Sequence, residues 1–404
     1  MNSATATQAG ETPTRAIALL ALASFVSAAN LRICDPLLPQ IAGELGITVG
    51  SAAAVVTGFA VAYGLAQIVV GPLGDARGKL VMVVLGSLWA GVATMFCAAM
   101  PSLEPIVLFR FLGGAGAAAV IPLAMAWIGD VIAYERRQPV LARFLSGQIL
   151  GIVFGQAAGG VLGELIGWRW TMVLLGVGHF GAGLLLLAEM RRVPAGRSAA
   201  GRARWRQAAA SAYGLLQRPW VRVVVASVFV EGLAMFGAFA YVGAELHQRF
   251  GIGLGLVGAV LGAYGAGALL YVLLAGTLVA RLGQPGLAAW GSVLVAVGYV
   301  ALVFVPWLWL LPPAIALKGL GFYMLHNTLQ TNATQMAPEA RGLAVSLFAF
   351  GLFTGQSVGV ALAAPIMDRY GARPVFLVAA ATILAVAFWF RRQLLRRAIA
   401  AGGA

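Results

Sequence analysis

The strongest constraint on this chain is a recurrence of apolar runs, each about 20 residues long. A helix rising about 1.5 Å per residue needs that length to cross a hydrocarbon core of about 30 Å. Such runs lie near 16–38, 50–72, 79–99, 104–127, 141–163, 169–189, 220–243, 254–280, 286–306, 308–330, 341–365 and 373–393. Of 404 residues, 61% are hydrophobic and 10% charged, against roughly 25% charged in a soluble domain. A soluble enzyme, a disordered scaffold and a disulfide-rich secreted domain are excluded. A transmembrane barrel would show segments of about 10 residues with alternating polarity, and the runs here do not alternate. The expected fold is an all-α polytopic membrane protein with twelve transmembrane helices. The first run continues past Asn30 to Leu38, longer than the roughly 7–15 apolar residues of a signal peptide, so it is expected to stay as a span.

The formal net charge of +14 raises nucleic acid as a partner, but placement decides against it. Counted over alternate loops, one side of the membrane holds 20 of the 27 basic residues, the other holds 4, and 3 lie inside spans. That is the positive-inside bias. It puts both termini on the cytoplasmic side of a bacterial-type inner membrane, with the lipid bilayer as partner and no nucleic acid. Cys34 and Cys97 both lie in apolar runs with no metal-ligand spacing, so neither a metal nor a cofactor is expected. Trp168, Trp170, Trp307 and Trp309 flank spans and read as interface anchors.

The one long loop, 190–219, carries Arg191, Arg192, Arg197, Arg202, Arg204, Arg206 and Arg218. It reads as a basic linker with a short helix on the anionic inner leaflet, dividing the chain into 1–189 and 220–404. The two parts repeat each other. Gly151-Ile152-Val153-Phe154-Gly155-Gln156-Ala157-Ala158-Gly159 matches Gly351-Leu352-Phe353-Thr354-Gly355-Gln356-Ser357-Val358-Gly359 at an offset of 200, and Ala62-Tyr63-Gly64 matches Ala263-Tyr264-Gly265 at 201. Two six-helix pseudo-repeats favour a transporter that rocks one half against the other over a channel or a membrane enzyme. Gly147, Gly151, Gly155, Gly159, Gly163 and Gly167 recur at every fourth residue. This stripe reads as tight helix packing and also as a smooth surface on which the halves could slide.

The loop Gly71-Pro72-Leu73-Gly74-Asp75-Ala76-Arg77-Gly78-Lys79 resembles the signature G-x-L-x-D-r-x-G-r-k of the major facilitator superfamily, and the resemblance covers the whole chain. It implies a cytoplasmic gate at Gly71, Asp75, Arg77 and Gly78, with the two charged residues in an inter-helix network. The second copy, Gly276 to Gly283, keeps Arg281 but has Ala280 in place of the acid. Arg110-Phe111-Leu112-Gly113-Gly114-Ala115-Gly116-Ala117 is similar to the motif R-x-x-q-G-x-g-a of proton-coupled members, which implies a coupling role for Arg110. Gly151, Gly155, Gly159 and Gly160 resemble the antiporter motif g-x-x-x-G-P-x-x-G-G, except that Gln156 stands where the motif has proline. The subgroup most resembled is the twelve-helix drug:proton antiporters and sugar-efflux permeases.

A charge inside a bilayer costs about 2.5–3.5 kcal/mol on insertion scales and is a functional candidate by default. Arg32, Asp35, Arg110, Glu231 and Lys318 are such charges. Depth along the spans pairs Asp35 with Arg110 and Glu231 with Lys318, with Arg32 one turn from Asp35. Asp35, Arg110 and Glu231 are the expected proton-coupling residues. Asn30, Arg32, Asp35, Glu231, Lys318 and Gln356 are the expected substrate-binding residues. His326 and Asn327, near the cytoplasmic end of their span, read as gating residues. Two acids against three bases lean towards an anionic, zwitterionic or neutral substrate. The expectation is a monomeric carrier exporting a small organic molecule against protons. The alternatives are an uptake symporter of an organic anion or zwitterion, and an enzyme or receptor on a transporter-like scaffold.

Overall fold

The computed structural model describes residues 13–193 and 205–402. Arg197, Arg202 and Arg204 of the linker lie outside the described residues. The chain runs through α1 (Thr14–Arg32), α2 (Leu38–Leu45), α3 (Val49–Ala52), α4 (Ala54–Arg77), α5 (Lys79–Ala99), α6 (Leu103–Ala117), α7 (Val120–Val131) and α8 (Tyr134–Met190). After the linker come α9 (Trp205–Leu216), α10 (Pro219–Phe239), α11 (Val242–Phe250), α12 (Leu254–Phe304), α13 (Leu311–Gln335), α14 (Arg341–Tyr370) and α15 (Ala372–Gly402). No strand occurs among the described residues. Among the described residues, ten segments are long and apolar enough to cross a membrane.

Two of these segments are longer than any one crossing. At about 1.5 Å per residue, the 57 residues of α8 and the 51 of α12 would reach roughly 75–85 Å. Each breaks at a glycine in a backbone conformation closed to other residues, Gly167 at φ 81 and Gly283 at φ 58. The chain can reverse there without leaving a helical register for more than a residue.

Helices α1–α8 form one packed set and α10–α15 another, and the two sets touch mainly where α8 meets α12 and where α4 meets α14. The glycine stripe of α8 belongs inside the first set. A Cβ at Gly147, Gly155 or Gly159 would lie 2.5–2.7 Å from the backbone oxygens of Ala21, Ala29 and Ile33, and Gly151 sits against that of Phe25. The stripe therefore seats α8 on α1, and the sliding-surface reading is corrected. Gly160, one residue off the stripe, is the glycine that meets α12, at Leu254 and Gly258.

One end of the bundle is tied by a chain of side-chain bonds. Arg169 binds Glu44 at 2.6 Å and the backbone oxygens of Ala98 and Met100 at 2.6 and 2.8 Å. Arg249 binds those of Leu302 and Val305 at 2.6 and 2.7 Å. We call this the Gly167 end and the opposite one the Gly78 end. Trp170, Trp307 and Trp309 are exposed there, as anchors should be, but Trp168 is buried and donates to Glu44 at 2.6 Å. It is a packing residue of the loop, not an anchor. The linker helix α9 exists, yet Ala212 and Leu215 are buried against the bundle, where α9 meets α4, α10 and α14. That face turns to protein, not to lipid.

Candidate functional site

α1 ends at Arg32 because Pro36 follows, and proline disfavours the helical conformation just before it while supplying no N–H. The turn Ile33–Leu37 then carries Asp35 inward, fully buried. Its carboxylate faces Arg32 at 3.7 Å, the expected i, i+3 neighbour. Among the described residues neither Asp35 oxygen has a hydrogen bond of normal geometry, and the Gln156 amide interacts with the carboxylate from close by. The Arg32 guanidinium also stacks over Phe236 of α10, 3.8 Å from the ring centroid. Asp35 and Arg32 thus sit on the seam between the two sets, where the backbone of Asp35 also packs against Gly243.

Arg110 makes no ion pair with Asp35 in the structure. Its guanidinium donates to Asn30 Oδ1 at 2.5 Å, to the Asn30 backbone oxygen at 3.1 Å and, through Nε, to the Val55 oxygen at 3.2 Å. Its planar face lies 4.3 Å from the centroid of Phe59. Asn30 is used up in return, donating to Thr94 Oγ1 at 3.1 Å. Arg110 and Asn30 therefore join α1, α4, α5 and α6 within the first set, and neither presents a free polar atom to a substrate in this conformation.

In the second set the expected Glu231–Lys318 pair is replaced. Glu231, fully buried on α10, faces His326 of α13, with Oε2 at 2.9 Å from Nδ1. His326 stacks on Phe322 at 4.8 Å and leans on Phe348 at 5.3 Å. Lys318 points elsewhere. Its Cβ lies over Gly298, and its ammonium sits between the rings of Phe239 and Tyr299 at 4.0 and 3.8 Å. Lys318 Nζ has no hydrogen bond among the described residues; cation–π attraction is worth about 2 kcal/mol or more when desolvated. Depth misled here because α13 runs on to Gln335, five residues beyond the expected 330. That moves Lys318 towards the Gly167 end and brings His326 level with Glu231. Gating by His326 at the end of its span is corrected accordingly. Gln356 is buried on α14, with an Oε1 that makes no hydrogen bond among the described residues.

At the Gly78 end the charge network runs through Lys79. It binds Asp130 at 2.6 Å and Asp75 at 3.5 Å. Arg137 donates to the backbone oxygens of Gly129 and Ile132 at 2.5 and 3.2 Å. Arg77 and Arg281 are exposed. Gly78 is in the left-handed region at φ 96, so the turn there needs a glycine, whereas Gly71 has open space beside it. Sequence reasoning missed Asp130. Its signal was an acid three residues past the expected end of a span at 127, level with a lysine at the start of another at 79.

The family model of the Major Facilitator Superfamily matches residues 20–360 and again 224–398. The MFS-type transporter YwfA of Bacillus subtilis (strain 168) is 25% identical over 368 residues, 90% of this chain and 88% of YwfA. The multidrug export protein EmrB of Haemophilus influenzae is 29% identical over 155 residues, 38% of this chain and 30% of EmrB. Among solved structures, a bacterial homologue of the human lysosomal transporter Spinster superposes with a TM-score of 0.76 at 18% identity, covering 96% of this chain and 99% of that one. A peptide transporter crystallised with sulfate gives 0.77 at 15% identity, covering 95% and 94%. A multi-pass helical chain with buried charges along the seam between two helix sets, matched over nearly its whole length, is a transporter rather than an enzyme, and it belongs to the Major Facilitator Superfamily.

Proposed function

We propose that the chain is a proton-coupled exporter of a small organic molecule, working by alternating access as a monomer in a bacterial inner membrane. It crosses twelve times, in two six-helix halves, 1–189 and 220–404, joined by the linker 190–219. The breaks at Gly167 and Gly283 supply the two crossings hidden inside α8 and α12. The positive-inside bias makes the Gly78 end, and both termini, cytoplasmic.

The observation that carries coupling is the placement of Asp35. It is buried at the seam, with Arg32 as its ionic partner and, among the described residues, no hydrogen bond of normal geometry on either oxygen. A carboxylate in that setting changes charge when access to water changes. A proton on Asp35 frees Arg32, which itself bridges the two sets through Phe236. Proton and substrate then compete for one group, which is the coupling an exchanger needs. Glu231 with His326 is the corresponding proton site of the second half. The name of the H. influenzae relative supports export.

A second reading, an uptake symporter of an organic anion or zwitterion, is favoured by Gln156 and by the three buried bases Arg32, Arg110 and Lys318. Reconstitution in weakly buffered liposomes separates the two. Internal pH is followed while pooled metabolites and drugs are added. Proton movement opposite to an added compound supports export by exchange, and movement with the compound supports symport. No proton movement with any compound transported contradicts both.

A further inference from the structure

At the Gly167 end, two carboxylates reach across from one set to the other. Glu164, near the end of the first part of α8, accepts a hydrogen bond from the backbone N–H of Gly255 at 2.5 Å. Asp368, near the end of α14, accepts from the N–H of Gly50 at 2.8 Å and from Thr48 Oγ1 at 2.7 Å. Each acid thus lands on the start of a helical segment in the other set, α12 for Glu164 and Val49–Arg77 for Asp368. N–H groups in a first turn have no partner within their own helix, and a carboxylate is the acceptor they favour. These side-chain hydrogen bonds join the two sets.

The two contacts are counterparts. Glu164 and Asp368 are 204 residues apart, and Gly50 and Gly255 are 205 apart. Packing nearby keeps the same shift. Gly151 sits on the carbonyl of Phe25 as Gly355 sits on that of Phe229, and Gly155 on Ala29 as Gly359 on Leu233. The sequence match of Gly151–Gly159 with Gly351–Gly359 is therefore one helical turn out of register. Glycines that repeat every fourth residue look alike under a shift of four, and only the contacts choose between the two alignments. In the shifted register Glu164 and Asp368 occupy the same place in each repeat.

Glycine makes room for each carboxylate. A Cβ at Gly50 would lie 2.5 Å from Asp368 Oδ2, and one at Gly253 would lie 2.6 Å from Glu164 Oε1. Both acids are exposed, so water replaces each bond as it breaks and release is inexpensive. This sets them apart from the buried Asp35 and Glu231.

We infer that Glu164 and Asp368 are paired latches which hold the Gly167 end shut, each gripping the first turn of a helix from the opposite half, and which both release once per cycle. The inference rests on the alternating-access reading above, but it needs neither protons nor a known substrate. Latches of this kind are positioning residues. They set the balance between the two conformations and touch no cargo.

The test is double electron–electron resonance on the full chain with Cys34 and Cys97 replaced by serine. One spin-label pair sits at Leu165 and Tyr370, both exposed at the Gly167 end. A second sits at Arg77 and Arg281, both exposed at the Gly78 end. Glu164→Ala with Asp368→Ala is expected to raise the long-distance fraction of the first pair at least threefold and to shorten the second. Glu164→Gln with Asp368→Asn, which keeps an acceptor oxygen at each place, is expected to fall between that variant and the parent. It is also the variant to measure if the alanine pair does not give a monodisperse protein. An unchanged first pair, while the second shows two populations, overturns the latches and leaves alternating access standing. A single population at both pairs in every variant overturns both.

Discussion

Glu231 of α10 and His326 of α13 meet at 2.9 Å, and this pairing leaves Lys318, two turns away on the same helix, to the rings of Phe239 and Tyr299. The second helix set therefore separates its buried acid from its buried lysine. Among the described residues Glu231 Oε1 has no hydrogen bond, so His326 is its main support.

Replacing His326 by alanine leaves a fully buried carboxyl group without that partner. An unsatisfied buried polar group costs about 1–3 kcal/mol, and a thermal-unfolding midpoint in detergent should fall accordingly. Glu231→Gln combined with His326→Ala should lose less than the sum of the two single changes, because both remove the same contact. Additive losses would contradict the pairing.

Arg110 uses all three of its guanidinium nitrogens, on Asn30 and Val55. A lysine carries the charge but not the planar fork. Arg110→Lys is expected to lower stability by about 1.5–3 kcal/mol, the value of a charged hydrogen bond. Asn30→Ala added to it should lower stability by less than it does in the parent, since only its bond to Thr94 is independent of Arg110. The check is the same unfolding measurement on the two single variants and the double.

At the Gly78 end Lys79 joins Asp75 to Asp130. Lys79, bound to Asp130 at 2.6 Å, is the residue whose loss matters there. Lys79→Ala leaves the half-buried Asp130 without its lysine, and should shift the Arg77–Arg281 label distance towards the open form. Arg77→Ala, read by stability alone, should change it by no more than about 0.5 kcal/mol, as an exposed site does.

Gly155 and Gly160 separate packing from motion. Gly155 backs on Ala29 within its own set, and Gly160 meets Leu254 of the other. Gly155→Val overpacks the α1–α8 contact and should destabilise the protein by about 1–3 kcal/mol. Gly160→Ala should leave the midpoint nearer to that of the parent and widen the Leu165–Tyr370 distance instead.

Helix positions were legible in outline because the length of an apolar run is fixed by bilayer thickness, and the apolar helices overlap the expected windows with ends moved by up to nine residues. Partner choice was not legible. Depth along a span gives a rise of about 1.5 Å per residue but no rotation about the axis. Rotation turned Lys318 onto Gly298 and turned Arg110 onto Asn30. The Arg32–Asp35 pair was found because i, i+3 spacing fixes both coordinates at once. The glycine stripe was visible, but not what it faced, since tight packing suits a partner in the same set as well as one across the seam. The signature loop marked the charged end of α4, where Asp75 meets Lys79, but motif letters carry no distances and so did not bring in Asp130.

The central claim is that Asp35 carries the coupling proton, and the most direct measurement is substrate-driven proton movement in liposomes holding Asp35→Asn beside the parent protein. Asparagine keeps the size of the side chain and removes its charge. The account predicts that the parent moves protons when substrate is added, and that Asp35→Asn moves none and transports substrate with no dependence on pH. Proton movement and pH dependence that persist unchanged in Asp35→Asn would contradict it.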